Sequence, residues 1–284
     1  LFLISVLISA SMALNVTVEP ILVIHGVTAT CSPRHVNTLI DYFDTYVHCY
    51  PIGGSDAKID SVLYNIHHQG NILCEKIHND ENFKNGNFSI VSFSQGAILT
   101  KYIIEYCPLQ HPIRSVVTFG GPHMGVSYFP GYPRETLLGR VLGWIIDKVA
   151  YWNFSQMIIA PADYWRNPTN HKGFLKNSRF LADANNERNF NQTRKDLWLN
   201  LKFARFVKWE GDTVIIPRES SWWGMYTENY DIIDRFDTEV YQKDLIGIRT
   251  LEESGRADFI SIPGDHMQVS NEQLHEIVGD VLLR

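Results

Sequence analysis

The stretch "IVSFSQGAIL", Ile90 to Leu99, sets a run of apolar, β-forming residues directly before a segment of helical character, with Ser94 at the joint. A serine on a sharp strand-to-helix turn has its hydroxyl lifted clear of the sheet. Small residues two positions to either side let strand and helix pass closely, which is the G-x-S-x-G nucleophile elbow. Here the pattern is Ser92-Phe93-Ser94-Gln95-Gly96. The +2 glycine is present, whereas the −2 position is a serine, small but bearing a Cβ. Ser94 could equally serve as the N-cap of the following helix, a place serine favours. The motif alone does not choose between the two roles.

Working outward, four more apolar runs resemble "FSIVSF" at 88–93: "ILVIHG" at 21–26, "IRSVVTF" at 113–119, "FARFVKW" at 203–209 and "ADFISI" at 257–262. Short continuous runs of this kind are the pattern of strands buried on both faces. Helical patterns lie between them. Ile59, Val62, Leu63, Ile66, Leu73, Cys74 and Ile77 recur on one face of a helix predicted over 57–77, and Gln95–Tyr106 and Gln268–Leu283 also read as helices. Strands alternating with helices predict a mostly parallel central sheet flanked by helices. From about 122 to 201 the rhythm breaks. That stretch is rich in Trp and Tyr and carries the amphipathic segment "TLLGRVLGWIIDKVA" at 136–150. Parallel-sheet enzymes bind ligands outside the carboxyl ends of their strands, where an insertion of this length would sit. The expectation is a single domain over 14–284 with a largely helical cap at about 122–201.

A serine nucleophile needs a base, and the base needs an orienting acid, in the chain order Ser, Asp or Glu, His. Asp212, in "WEGDTVIIP", and His266, in "PGDHMQ", each follow a predicted strand and stand in that order after Ser94. Asp265 is a rival acid, but neighbouring side chains in a loop seldom hold a carboxylate against the far nitrogen of the adjacent ring. Acyl transfer also requires two fixed N–H donors for the developing oxyanion, one after the nucleophile and one from the loop after an early strand. Gln95 and Val27 fit those places. His25, beside Val27, reads as a structural hydrogen-bonding residue, and His123 is a further histidine after a strand end.

Composition narrows the classes. The 284 residues are 45% hydrophobic, enough for one large core, and 25 basic against 31 acidic residues give a net charge of −6. No basic run is dense enough for a nucleic-acid footprint. Residues 1–13, "LFLISVLISASMA", read as a signal peptide ending in small residues, and no stretch reaches the ~18 apolar residues of a membrane span. A secretory route makes two other features legible. Cys31, Cys49, Cys74 and Cys107 form an even set open to three pairings, with spacing unlike a zinc site. Asn15, Asn87, Asn153 and Asn191 begin glycosylation sequons. Neither a cofactor nor a metal is called for.

The residues resemble the palmitoyl-protein thioesterases over roughly 20–283. The resemblance is carried by "SFSQGA" around Ser94, "ADYWRNP" at 162–168, "FLADANNERNFNQT" at 180–193, "EGDTVIIP" at 210–217, "SSWWGMY" at 220–226, "YQKDLIGIRTLEESGR" at 241–256 and "PGDHMQ" at 263–268. It implies an α/β-hydrolase fold, with Ser94 as nucleophile, Asp212 as acid and His266 as base. It also implies lysosomal or secreted removal of long fatty acyl groups from S-palmitoylated proteins or peptides, or from acyl-CoA. Cys74 and Cys107 match a disulfide pair of the family, and Cys31 and Cys49 remain. The family elbow usually has Gly at −2, so Ser92 is a departure. A long acyl chain needs an apolar groove, for which Trp144, Ile145, Val149, Met157, Ile158, Trp222 and Trp223 are the candidates. A lipase or carboxylesterase would use the same triad, and a lumenal lipid-binding protein could keep the fold without catalysis.

Overall fold

In the computed structural model, which describes residues 18–53, 56–128 and 137–284, the five apolar runs become neighbouring strands of one sheet. These are β1 (Ile21–Ile24), β3 (Phe88–Phe93), β4 (Ile113–Phe119), β5 (Phe203–Trp209) and β8 (Ala257–Ile262). A short edge strand, β2 (Val47–Cys49), completes six parallel strands in the order β2-β1-β3-β4-β5-β8. Two two-residue strands, β6 (Met225–Tyr226) and β7 (Ile232–Ile233), pair antiparallel outside it. This is the α/β-hydrolase architecture. The predicted signal peptide and the Asn15 sequon lie outside the described residues.

Successive side chains of a strand face opposite ways, so a sheet covered on both sides needs apolar residues at every position. The two cores divide accordingly. Leu22, Ile24, Ile90, Val116 and Phe206 face a cluster formed with helices Ile66–Asn79 and Gly96–Tyr106 and with Phe174, Phe180, Leu181 and Trp198 of the 122–201 stretch. Ile21, Val23, Val91, Phe93, Val117, Val207 and Trp209 face helices Pro33–Phe43 and Asn271–Leu282. The last of these opens with a reciprocal cap between Ser270 and Gln273.

The helix predicted over 57–77 is two helices, Ala57–Leu63 and Ile66–Asn79. Asn65 is extended and its side chain accepts the N–H of His68, so it caps a new helix rather than continuing the old one. Ile59 and Leu63 are accordingly exposed, off the face that Ile66, Leu73 and Ile77 bury. Disulfides join Cys31 to Cys49, tying the segment after β1 to β2, and Cys74 to Cys107, tying the helices Ile66–Asn79 and Gly96–Tyr106. Between β4 and β5 the described chain is helical, with Leu137–Val149, Asn153–Ile158, Ala160–Asp163, His171–Asn177, Leu181–Ala184 and Gln192–Leu199.

Candidate active site

β1 lies between β2 and β3, so the chain leaves β1 to one side and returns on the other. At such a reversal the loops leaving the carboxyl ends part and open a crevice. Ser94 stands there, directly after β3. Its φ of +55° is a left-handed conformation rare for a residue with a side chain, and its N–H donates to the Phe119 carbonyl at 2.8 Å. Gln95 occupies the N-cap position of helix Gly96–Tyr106, and no side chain caps that helix. Two glycines permit the close packing. A Cβ on Gly96 would lie 2.5 Å from the Ile24 carbonyl oxygen, and one on Gly26 would lie 2.9 Å from the Cβ of Ser94. The sharp turn forms with Ser92 at −2, whose buried hydroxyl has no hydrogen-bond partner among the described residues.

Asp212 and His266 leave the neighbouring strands β5 and β8. Asp212 Oδ2 lies 2.8 Å from His266 Nδ1, while its Oδ1 accepts the backbone N–H groups of Val214 and Ile215, both at 2.9 Å. A carboxylate on Nδ1 fixes that nitrogen as the donor and leaves Nε2 as the acceptor. Asp265 instead accepts the backbone N–H of His266 at 2.7 Å and of Thr213 at 2.9 Å. Those bonds, the His266 N–H first, hold its carboxyl below the usual range. The two loops are joined further by Gly211 N–H donating to the Gly264 carbonyl at 3.0 Å. β4 ends between them and Ser94. Phe119 holds the Ser94 N–H, and a Cβ on the next residue, Gly120, would lie 3.0 Å from His266 Cε1.

On the other side of Ser94 are Val27 and Gln95. The backbone N–H of neither has a hydrogen-bond partner among the described residues. The Gln95 side chain, by contrast, is fully buried and bonded at both ends, to Ser61 and Gln69 through Nε2 and to the Tyr164 hydroxyl through Oε1. His25 uses both ring nitrogens: Nδ1 is 2.9 Å from the Gly26 carbonyl and Nε2 accepts the Ile52 N–H at 3.2 Å, and burial lowers its pKa. It is a structural ring. His123 is fully buried, with Nε2 2.9 Å from the Thr118 hydroxyl and its face on Trp223. Among the described residues no cluster of side chains suits a metal ion.

The groove candidates are dispersed. Trp144, Ile145 and Met157 are exposed on the helical insertion, and Val149 and Ile158 are half-buried there. That insertion is fastened close to Gln95: the Tyr164 hydroxyl donates to Gln95 Oε1 at 2.9 Å, and Asp163 Oδ2 accepts the Ile66 N–H at 2.7 Å. Trp223 corrects the sequence reading. Its ring is wholly buried, stacked on His123 at 4.8 Å and covered by Lys101 Nζ at 3.9 Å, so it is a core side chain and not a groove wall. Trp222 is half-buried, its Nε1 donating to the Phe206 carbonyl and its ring facing Lys208. Sequence reasoning missed Ser61 and Gln69, which match no motif, and gave no role to Tyr164 within "ADYWRNP"; all three lie far from Gln95 along the chain.

Comparison with known proteins adds a family to this geometry. Residues 20–266 match the family described as palmitoyl protein thioesterase. The chain is similar to palmitoyl-protein thioesterase 1 of Caenorhabditis elegans, at 34% identity over 93% of this chain and 90% of that protein. It is also similar to palmitoyl-protein thioesterase 3 of Dictyostelium discoideum, at 28% identity over 92% and 89%. A third relative is the lysosomal thioesterase PPT2-B of Xenopus laevis, at 30% identity over 62% and 60%.

Proposed function

Because this chain belongs to the palmitoyl protein thioesterase family, we propose that it hydrolyses long-chain fatty acyl thioesters with Ser94 as nucleophile, His266 as general base and Asp212 as the acid that orients it. The observation that carries the reading is the 2.8 Å contact between His266 Nδ1 and Asp212 Oδ2, on joined loops beside the strand end that also holds the Ser94 backbone. Ser94 Oγ attacks the thioester carbonyl carbon as its proton passes to His266 Nε2. The backbone N–H groups of Gln95 and Val27 receive the oxyanion, and Asp212 stabilises the charged ring. The C–S bond then breaks, and the leaving thiolate takes up the proton held on His266 Nε2, which returns the ring to its neutral form. A thiol with a pKa of about 8.5 needs little acid help, unlike an alcohol. Water, activated by His266, next adds to the acyl-enzyme, releasing the fatty acid and restoring Ser94.

Family membership supports the substrate class. That class comprises S-palmitoylated proteins or peptides, or acyl-CoA, with the chain taken up along the insertion by Trp144, Ile145, Val149, Met157 and Ile158. Each methylene buried adds about 0.8 kcal/mol, so binding tightens with chain length until the groove is full. The relatives named as lysosomal thioesterases support a lysosomal or secreted location, and Asn87, Asn153 and Asn191 are exposed, as glycosylation would require. The test is kcat/KM on a palmitoyl thioester and on the matched oxygen ester, with Ser94→Ala as control. Thioester preference lost in the variant supports the proposal. Preference for the oxygen ester makes the protein a lipase or carboxylesterase, and turnover that survives Ser94→Ala removes Ser94 from the chemistry.

A further inference from the structure

Ser61 bonds to the residue after one proposed oxyanion donor, Val27, and to the side chain of the other, Gln95. It is fully buried on the helix Ala57–Leu63, and its hydroxyl donates to the Lys58 carbonyl at 2.8 Å, which fixes the direction of its lone pairs. That same hydroxyl accepts the backbone N–H of Thr28 at 2.8 Å. Thr28 follows Val27 directly and has a φ of +55°, a left-handed conformation that is unfavourable for a β-branched residue and persists only where surroundings impose it. On its other side, the Ser61 carbonyl accepts Gln95 Nε2 at 2.9 Å and Gln69 Nε2 at 3.0 Å. The second proton of Gln95 Nε2 goes to Gln69 Oε1 at 3.1 Å, and Gln95 Oε1 accepts the Tyr164 hydroxyl at 2.9 Å. Every hydrogen-bonding group of the Gln95 amide is therefore used, and one residue spans from the loop after β1 to the elbow after β3.

We propose that Ser61 is a positioning residue for the hydrolysis: through its hydroxyl on Thr28 and its carbonyl on Gln95 it sets the separation and direction of the Val27 and Gln95 backbone N–H donors. The inference rests on the catalytic reading given above and adds to it a cause for the hole's shape. An oxyanion hole acts only when its donors are fixed ~2.7–3.1 Å from where the charge develops, and a displacement of about 1 Å in such a site costs up to roughly 100-fold in rate. The Val27 loop is neither helix nor strand, and its disulfide to β2 lies four residues on, at Cys31. Ser61 supplies the fixed point, and Gln69 and Tyr164 keep the Gln95 side chain from turning away. Because Ser61 acts through the donors to the reacting carbonyl and not on the acyl chain, its effect falls on kcat and is the same for short and long chains.

Ser61→Ala removes the acceptor for the Thr28 N–H and keeps the carbonyl that Gln95 uses. The experiment measures kcat and KM of wild type, Ser61→Ala and Ser61→Thr on short- and long-chain acyl thioesters, per active site titrated to completion with a fluorophosphonate. Ser61→Ala is expected to lose at least about 10-fold in kcat at nearly unchanged KM and at every chain length, with slower phosphonylation of Ser94. Ser61→Thr, which retains a hydroxyl, is expected to recover most of that loss. A wild-type kcat per titrated site in Ser61→Ala, or a loss confined to KM or to long chains, overturns the proposal. If Ser61→Ala does not fold, a fall in kcat at unchanged KM in fully titrated Tyr164→Phe and Gln69→Leu supports it, and an unchanged kcat in both overturns it. Ser94→Ala run in parallel separates the two claims: turnover surviving there ends the catalytic reading itself, whereas an inactive Ser94→Ala beside a fully active Ser61→Ala ends only the role of Ser61.

Discussion

Asp212 and Asp265 both bond to His266, yet they hold different parts of it. Asp212 meets the ring nitrogen and Asp265 the backbone N–H. A carboxylate on Nδ1 sets the tautomer and steadies the imidazolium, and replacing such a group by its amide costs roughly 10⁴ in turnover in a serine protease. Asp212→Asn is therefore expected to lower kcat by orders of magnitude, while Asp265→Asn, which keeps an oxygen for the loop N–H groups, stays within about 10-fold of wild type. Kinetics on a single thioester check this, and the reverse order would transfer the acid's role to Asp265. The elbow was legible in the sequence because its signal is local, an apolar run, a serine and a +2 glycine. Ser61 was not, because a lone serine in a short helix acquires meaning only from Thr28 and Gln95, which tertiary structure brings to it.

The same contrast holds for whole elements. The strands of a sheet covered on both faces are continuous apolar runs, so β3, β4, β5 and β8 stood out with their bounds. β2 did not, since a three-residue edge strand containing His48 carries little pattern. The predicted helix over 57–77 failed at Tyr64-Asn65, where a capping side chain outweighs a periodic run. Trp223 misled in the groove because composition states no direction: it turns into the core, while Trp144 stays exposed on the insertion. The Cys74–Cys107 disulfide spans 33 residues and ties the helix after the elbow to its neighbour. Closing a loop of that length stabilises a protein by about 3–4 kcal/mol through the unfolded chain. The double variant Cys74→Ser, Cys107→Ser is expected to lose an amount of that order in urea unfolding, and an unchanged midpoint would show that the bridge does not support the core.

At the scale of the molecule, five strand ends of a parallel sheet deliver Val27, Ser94, Gly120, Asp212 and His266 to one edge, and the insertion between β4 and β5 is fastened beside them. Asp163 makes one of those fastenings, and burial pushes its carboxyl up to about 7 against the opposing bond from the Ile66 N–H. A group raised in the folded state keeps a proton that the unfolded chain has released. Its contribution to stability is thus full below about pH 4 and is lost as pH rises toward 7, with a slope of up to ~1.4 kcal/mol per pH unit. Asp163→Asn is expected to remove that slope, so that wild type and variant diverge between pH 5 and pH 7; parallel stability curves would contradict it. The central claim is that this edge is a catalytic site with Ser94 as its nucleophile. The most direct test is to react the protein with a fluorophosphonate and locate the adduct by mass spectrometry of its peptides. One phosphonyl group on Ser94, absent after His266→Ala, is the predicted result. An adduct on another serine, or none on a protein that still hydrolyses thioesters, would contradict it.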